Sequence, residues 1–269
     1  MIQGNNFDDL YKDIIHDILT QGKKVSPRGL SCYEKTAYSF ELTDISRSLL
    51  TLKERKFAYK FNAAEKLCYV SGNGGEEILP RYAKNIVDFI NPVSGKFDGA
   101  YGPRLIKQFE YVLDLLRHDP DTRQAVINIF NYYDDLHPSK DIPCTCILQF
   151  LNRNNKLNLI VYMRSNDLLW GTPYDVSQFT FIQECFANIL GIGLGTYTHI
   201  AGSLHIYEKD VELFKRILES DEINDQKQLP VEIISWEQLQ DQATITLHGK
   251  NEEEKLLPYF KQLNRLLWN

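Results

Sequence analysis

Two apolar runs joined by a short polar tip constrain this fold more than any other feature. Residues 144–150 read C-T-C-I-L-Q-F and residues 157–164 read L-N-L-I-V-Y-M-R, with N-R-N-N-K before the second run. Strand-length apolar runs flanking an Asn-rich turn predict an antiparallel strand pair. Pro143 stands just before the first run, and a helical pattern over 174–190 follows the second. That helix places Phe179, Ile182, Phe186 and Ile189 inward, and Gly191, Gly193 and Gly195 break it. T-Y-T-H-I-A-G-S-L-H-I-Y then reads as another strand, leading into a helix over 211–218.

The remaining segments fit around this unit. Residues 7–20 carry Phe7, Leu10, Tyr11, Ile14, Ile15 and Ile18 at helical spacing, with Asn5 or Asn6 as the cap. Arg28 lies between Pro27 and Gly29 in a loop, and residues 37–44 alternate weakly as a strand. Residues 58–71 predict a helix that carries Glu65 among small and apolar neighbours. F-D-G-A-Y-G-P-R is turn-rich, residues 104–117 form an amphipathic helix, and A-V-I-N-I-F is a strand. The last segment, 252–269, reads as one helix containing Pro258. With no repeat or linker, 1–269 is predicted to form a single α+β domain, a mixed β-sheet packed with helices.

Composition narrows the function. The net charge is −6 and no Lys/Arg run forms a nucleic-acid patch, so a nucleic acid polymer is not the expected partner. No apolar stretch reaches the roughly 20 residues of a membrane span, so no membrane partner is expected either. The first ten residues are too polar and acidic for a signal peptide. Five cysteines without C-x-x-C spacing argue against a disulfide framework or a metal site and for a reducing, cytoplasmic setting. Gly72, Gly74 and Gly75 lack the preceding strand and following lysine of a phosphate loop.

Cys144 is the residue to weigh for chemistry. A free cysteine is more often an inert core residue than a nucleophile, and reactivity needs a nearby positive charge. Arg164, at the far end of the second strand, is placed to supply one. Strand alternation puts Cys146 on the same side as Cys144. A Cys/His hydrolase using His199 or His205 draws on the same residues, and spacing does not choose between the two uses.

P-C-T-C-I-L-Q-F, M-R-S-N-D-L-L-W-G-T-P-Y-D and G-S-L-H-I-Y strongly resemble the thymidylate synthase superfamily, closest to its pyrimidine-nucleotide hydroxymethylase branch. S-P-R-G, Glu65, Y-G-P-R and D-P-D-T-R fall in the expected order, so the resemblance covers nearly the whole chain. It implies that Cys144 adds to C6 of a pyrimidine nucleotide, so that C5 attacks the methylene carbon of 5,10-methylenetetrahydrofolate. By the same resemblance Glu65 organises water and proton transfers, and Tyr101 is associated with removal of the C5 proton. Arg164 and Arg28 match phosphate-binding arginines, and Arg123 one that is donated across the interface of a sheet-mediated homodimer. Ser165 keeps the serine of the deoxynucleotide motif, and Asp167 matches an aspartate whose backbone amide lies near the pyrimidine carbonyl. Gln149 matches a glutamine near ring and sugar, and His205 and Tyr207 the pair on the 3′-hydroxyl.

The departures carry the finer reading. Asp175 stands where the synthase has asparagine. An amide can both donate to uracil O4 and accept from N3–H, whereas a carboxylate only accepts and suits the amine of cytosine. Asp175 therefore implies cytidylate, dCMP or CMP, with Ser165 favouring dCMP. Thr145 and Ser203 also depart toward the hydroxymethylase branch. The synthase's short apolar tail has no match in L-N-R-L-L-W-N, which favours attack by water over hydride transfer. Gln124 replaces the second arginine of the shared pair and predicts weaker phosphate binding unless Arg104 compensates. The competing readings are a C5-methyltransferase, a CMP hydroxymethylase of nucleoside biosynthesis, and a nucleotide-binding protein without turnover.

Overall fold

The computed structural model of the chain describes residues 1–131, 133, 135–136, 138–249 and 252–268. In chain order its elements are β1 (Ile2–Gly4), α1 (Phe7–Gln21), β2 (Lys23–Val25), β3 (Cys32–Leu42), α2 (Tyr59–Ser71), α3 (Gly102–His118) and β4 (Val126–Asn128). There follow β5 (Thr145–Arg153), β6 (Lys156–Met163), β7 (Asn166–Asp167), α4 (Thr172–Leu190), β8 (Gly193–Tyr207), α5 (Val211–Glu219), α6 (Trp236–His248) and α7 (Pro258–Trp268). The strands form one sheet in the order β1-β3-β8-β6-β5-β4, with β2 on β3 and β7 on β8.

The expected hairpin is present. β5 and β6 run antiparallel, with Phe150 opposite Leu159 and Leu148 opposite Val161. β6 pairs with β8 in parallel, so the sheet is mixed. Register sorts side chains by face, because cross-strand partners point the same way. One row, Leu148, Val161, His199 and Phe40, is fully buried under the helices. The next, Ile147, Tyr162, Ile200 and Ser39, faces the other way and stays partly exposed.

α4 is the central helix and is buried nearly all round. Phe179, Phe181, Ile182 and Phe186 are fully buried. Most of its buried polar groups bond to neighbours, as the low-dielectric interior favours, with Gln183 Oε1 left without a partner among the described residues. Gln183 Nε2 donates to Leu157 O at 2.8 Å and Thr196 O at 3.0 Å, where the β6–β8 ladder shifts register. α1 lays its predicted apolar face inward, capped by Asn6, whose side chain accepts from Asp8 N at 3.0 Å. α2, α3, α6 and α7 build outward over α4.

Some expectations are corrected. The strand expected at 37–44 begins earlier, at Cys32, and Ala37 interrupts it with φ 52°. Gly193 and Gly195 lie inside β8, and only Gly191, at φ 66°, terminates α4. Gly195 allows Asn158 to approach, since a Cβ there would collide with Asn158 Oδ1. The last segment is not one helix: Pro258 opens α7, as a residue without an N–H does best at a first turn. α6 had no sequence expectation. Ser235 caps it, accepting from Gln238 N at 3.2 Å. No helix among the described residues is long and apolar enough to cross a membrane.

Phe186 joins the sheet to the outer helices, stacking on Phe150 at 4.8 Å and meeting Phe109 edge-on at 5.1 Å. Phe186→Ala is expected to lower unfolding free energy by about 3–5 kcal/mol, measured as a shift of the urea midpoint at unchanged slope.

Candidate active site

Cys144 sits where the chain enters β5, and Arg164 where it leaves β6. Arg164 N donates to Cys144 O at 2.8 Å, and its guanidinium donates to Pro143 O and Ile142 O, both at 2.9 Å. The arginine thus fastens the loop that carries the cysteine. The expectation that Cys144 and Cys146 share a face is corrected. A register shift between Thr145 and Ile147 places Cys146 in a bulge, and only Cys144 lines the cavity beside it.

That cavity, of about 660 Å³, also takes in Glu65, Tyr101, Arg164, Ser165, Asp167, Asp175, His205, Tyr207 and Arg28. Ten of the expected residues therefore meet at one place. Arg28 holds a left-handed backbone at φ 51°, followed by Gly29 at φ 80°. Tyr101 opens α3, and its hydroxyl accepts from Thr145 N at 3.1 Å, next to Cys144. Asp167 lies opposite His205 in the β7–β8 pairing, and the His205 and Tyr207 rings meet edge-on at 5.0 Å.

Two expected residues lie elsewhere. Gln149 belongs to the open face of the sheet, where its amide donates to Arg123 O at 3.0 Å, so the expected place near ring and sugar is not met within this chain. Strand alternation from the buried Leu148 and Phe150 dictates that side. Arg123 is exposed and outside the cavity. Arg104 cannot make good the missing second arginine. It pairs with the buried Asp135 at 2.7 Å and donates to Ile129 O and Asp98 O. His199 is sealed in the core, with Nδ1 2.8 Å from Tyr197 Oη and its ring stacked on Phe40. It lies outside the Cys144 cavity, which removes it from a Cys/His pairing.

The cavity is electrostatically loaded. Burial pushes Glu65 up to about 8, opposed by a hydrogen bond from Gln178. Burial also pushes Asp175 up to about 7, against a 2.8 Å hydrogen bond from Asn166 Nδ2. Asp175 occupies the first turn of α4, where the helix dipole favours its ionised form. Burial raises the Cys144 thiol; Arg164 opposes this, Asp175 and Asp141 add to it, and Arg28 opposes it. Burial keeps His205 below the usual imidazole range, opposed by Asp167.

Asn166, Thr172 and Gln178 are site residues that the sequence did not single out. Gln178 follows Asp175 by one helical turn, a spacing that puts both on one face and could have revealed it. Among the described residues no group of three His, Cys, Asp or Glu could hold a metal ion. A second cavity of about 1290 Å³ adjoins the first through Arg28, Phe61, Asp167, Trp170 and Tyr174. Its aromatic wall and its rim lysines, Lys84 and Lys209, fit a flat heteroaromatic group that carries carboxylates.

Fold and cavity define a mixed-sheet α+β class with a cysteine, an arginine and buried carboxyls at one site. The thymidylate synthase family profile matches residues 9–253, and the chain belongs to that family. A deoxyuridylate hydroxymethyltransferase of Bacillus phage SP01 is 35% identical over 225 residues, covering 77% of this chain and 58% of the phage protein. One from Delftia phage PhiW-14 is 31% identical, covering 75% of this chain and 61% of its own. A thymidylate synthase of Bacillus subtilis subsp. natto is 26% identical, covering 80% and 85%. The chain therefore spans about three fifths of the length of the two phage proteins.

Glu65 and Asp175 hold their protons more tightly folded than unfolded. The stability this contributes is full below the unfolded carboxyl range and is lost as pH rises through about 7 to 8. These two carboxyls should therefore draw wild-type Tm down between about pH 5 and about pH 8, most clearly above about 6.5, where the buried His199, held below its usual range, no longer acts in the opposite sense. Glu65→Gln should flatten that fall and melt about 2–4 °C above wild type at the upper end, as read by scanning calorimetry.

Proposed function

We propose that the chain is a folate-dependent pyrimidine-nucleotide C5-hydroxymethyltransferase that acts on dCMP. The observation that carries the base assignment is the Asp175 carboxyl, buried in the Cys144 cavity and accepting from Asn166 Nδ2 at 2.8 Å. An acceptor at that place complements the exocyclic amine of cytosine and opposes uracil O4.

In this reading the Cys144 thiolate forms a bond to C6, and the ring electrons pass to C5, which becomes the nucleophile. 5,10-Methylenetetrahydrofolate supplies the one-carbon unit; its rings would lie along Phe61, Trp170 and Tyr174, with its carboxylates toward Lys84 and Lys209. Arg164 and Arg28 hold the 5′-phosphate, His205 and Tyr207 the sugar hydroxyl, and Ser165 and Asp167 the nucleotide beside them. Burial keeps the Tyr101 phenol protonated, so its hydroxyl would orient a water that takes the C5 proton and would not take that proton itself. Loss of the C5 proton would let the C–N bond to the folate break, with tetrahydrofolate as the leaving group. Glu65, pushed up to about 8 by burial, would activate the water that adds to the transferred carbon. The C6–S bond to Cys144 would then break to restore the ring.

The dimer belongs to the same proposal. The open sheet face presents Ile147, Ile160, Tyr162 and Ile200 as a partly exposed apolar surface. A second copy packed there would bring its own Arg123 to the phosphate.

The phage relatives favour a second reading in which the substrate is dUMP, as their names state. A protonated Asp175 both donates and accepts, as asparagine does, and so fits uracil. Incubation with dCMP, CMP and dUMP plus methylenetetrahydrofolate, read by mass spectrometry, separates these readings and identifies a methyl product. The expected product is 5-hydroxymethyl-dCMP. Cys144→Ala should lose turnover at least about a thousandfold while still binding nucleotide. Asp175→Asn should shift the dCMP:dUMP ratio of kcat/KM toward dUMP by about tenfold or more; an unchanged ratio defeats the base assignment. For the dimer, a mixture of inactive Arg123→Ala and inactive Cys144→Ala chains should regain activity, and no recovery would defeat the shared site.

A further inference from the structure

We propose that Asn166 is the positioning residue that sets which pyrimidine the cavity accepts, because it holds Asp175 as a hydrogen-bond acceptor. The inference rests on the reading that Asp175 faces the 4-position of the base. Three side chains form a directed chain of hydrogen bonds. Thr172 Oγ1 donates to Asn166 Oδ1 at 2.6 Å, and Asn166 Nδ2 donates to Asp175 Oδ2 at 2.8 Å. All three are buried, at 0%, 2% and 7% exposure. Buried groups must find partners, so the direction of each bond fixes the next.

The direction is what matters for the base. The Asn166 amide has a carbonyl end and an amino end. Thr172 occupies the carbonyl end, which leaves only N–H to face Asp175. A fixed N–H stabilises a carboxylate and disfavours a carboxylic acid. Turned the other way, the amide would present its oxygen, and Asp175 would need a proton to meet it. A second acceptor for Thr172, Asp167 O at 3.2 Å, is the longer contact, so the observed direction is the better bonded one. Local space is shaped for this arrangement. A Cβ on Gly171 would lie 2.6 Å from Asn166 Nδ2 and 3.2 Å from Asp175 Oδ2. Asn166 itself lies on β7, paired opposite Leu204, so its backbone is set by the sheet and not by ligand.

A structural role alone would lower turnover of all nucleotides alike. A positioning role changes their ratio, because losing the donor favours the protonated Asp175 that uracil can use. The test measures kcat/KM for dCMP and dUMP, with methylenetetrahydrofolate, in wild type and three variants. Asn166→Ala should lower the dCMP:dUMP ratio at least about tenfold. Thr172→Val, which frees the amide to turn, should lower it several-fold, and Thr172→Ser should retain it. Calorimetric affinities for the two nucleotides supply the ratio for any variant that binds without turnover, and Thr172→Val decides the matter if Asn166→Ala does not fold. A wild-type dCMP preference that persists in both Asn166→Ala and Thr172→Val overturns this inference and leaves the cytosine reading standing. A wild-type preference for dUMP, or turnover of neither nucleotide, overturns that reading and the inference with it.

Discussion

One main-chain hydrogen bond, from Arg164 N to Cys144 O, organises the site. It closes the open end of the β5–β6 hairpin just beyond the last paired residues. The Arg164 guanidinium then spans the same loop by bonding two more of its carbonyls. The thiol is therefore held by the sheet, with a permanent cation beside it. The bulge after Thr145 completes the arrangement, since without it Cys146 would share the orientation of Cys144. Geometry of this kind arises from backbone pairing, which is rigid before any ligand arrives.

Placing Asp175 on α4 has the same character. α4 packs under the sheet along Phe179, Ile182 and Phe186. Its first turn points a carboxyl into the cavity. Glu65 comes from α2, which lies against α4, and Gln178 ties the two helices together at that point. Two buried carboxyls near one thiol are a burden for folding, because each resists ionisation in a low-dielectric site. Sites that carry chemistry commonly bear such a burden.

Much of this was legible in the sequence. Alternation and helical spacing located the hairpin, α1 and α3, since each buries one face of a regular element, and the long run of large apolar residues at helical spacing located α4. The motifs around Cys144, Arg164, Asp175 and His205 brought out residues that the fold indeed gathers. What was hidden has a physical reason in each case. The bulge at Cys146 leaves no mark in a run of apolar residues. α6, W-E-Q-L-Q-D-Q-A-T-I-T-L-H, is too polar and Thr-rich to announce itself, and its helix forms because α2 and α7 pack on it. Arg104 looked like a free base until Asp135, distant along the chain, claimed it. Gln149 follows its strand to the open face, a matter of register that short motifs do not convey.

Arg28 remains as the residue with the least comfortable backbone in the site. A left-handed conformation at a residue with a side chain costs about 1–3 kcal/mol, and glycine would relieve it. The next position, Gly29, already uses that freedom. The loop thus spends its one glycine beside the arginine and not at it. In the proposed phosphate-binding role, a backbone already set in this conformation would leave an arriving anion less of the loop's disorder to remove.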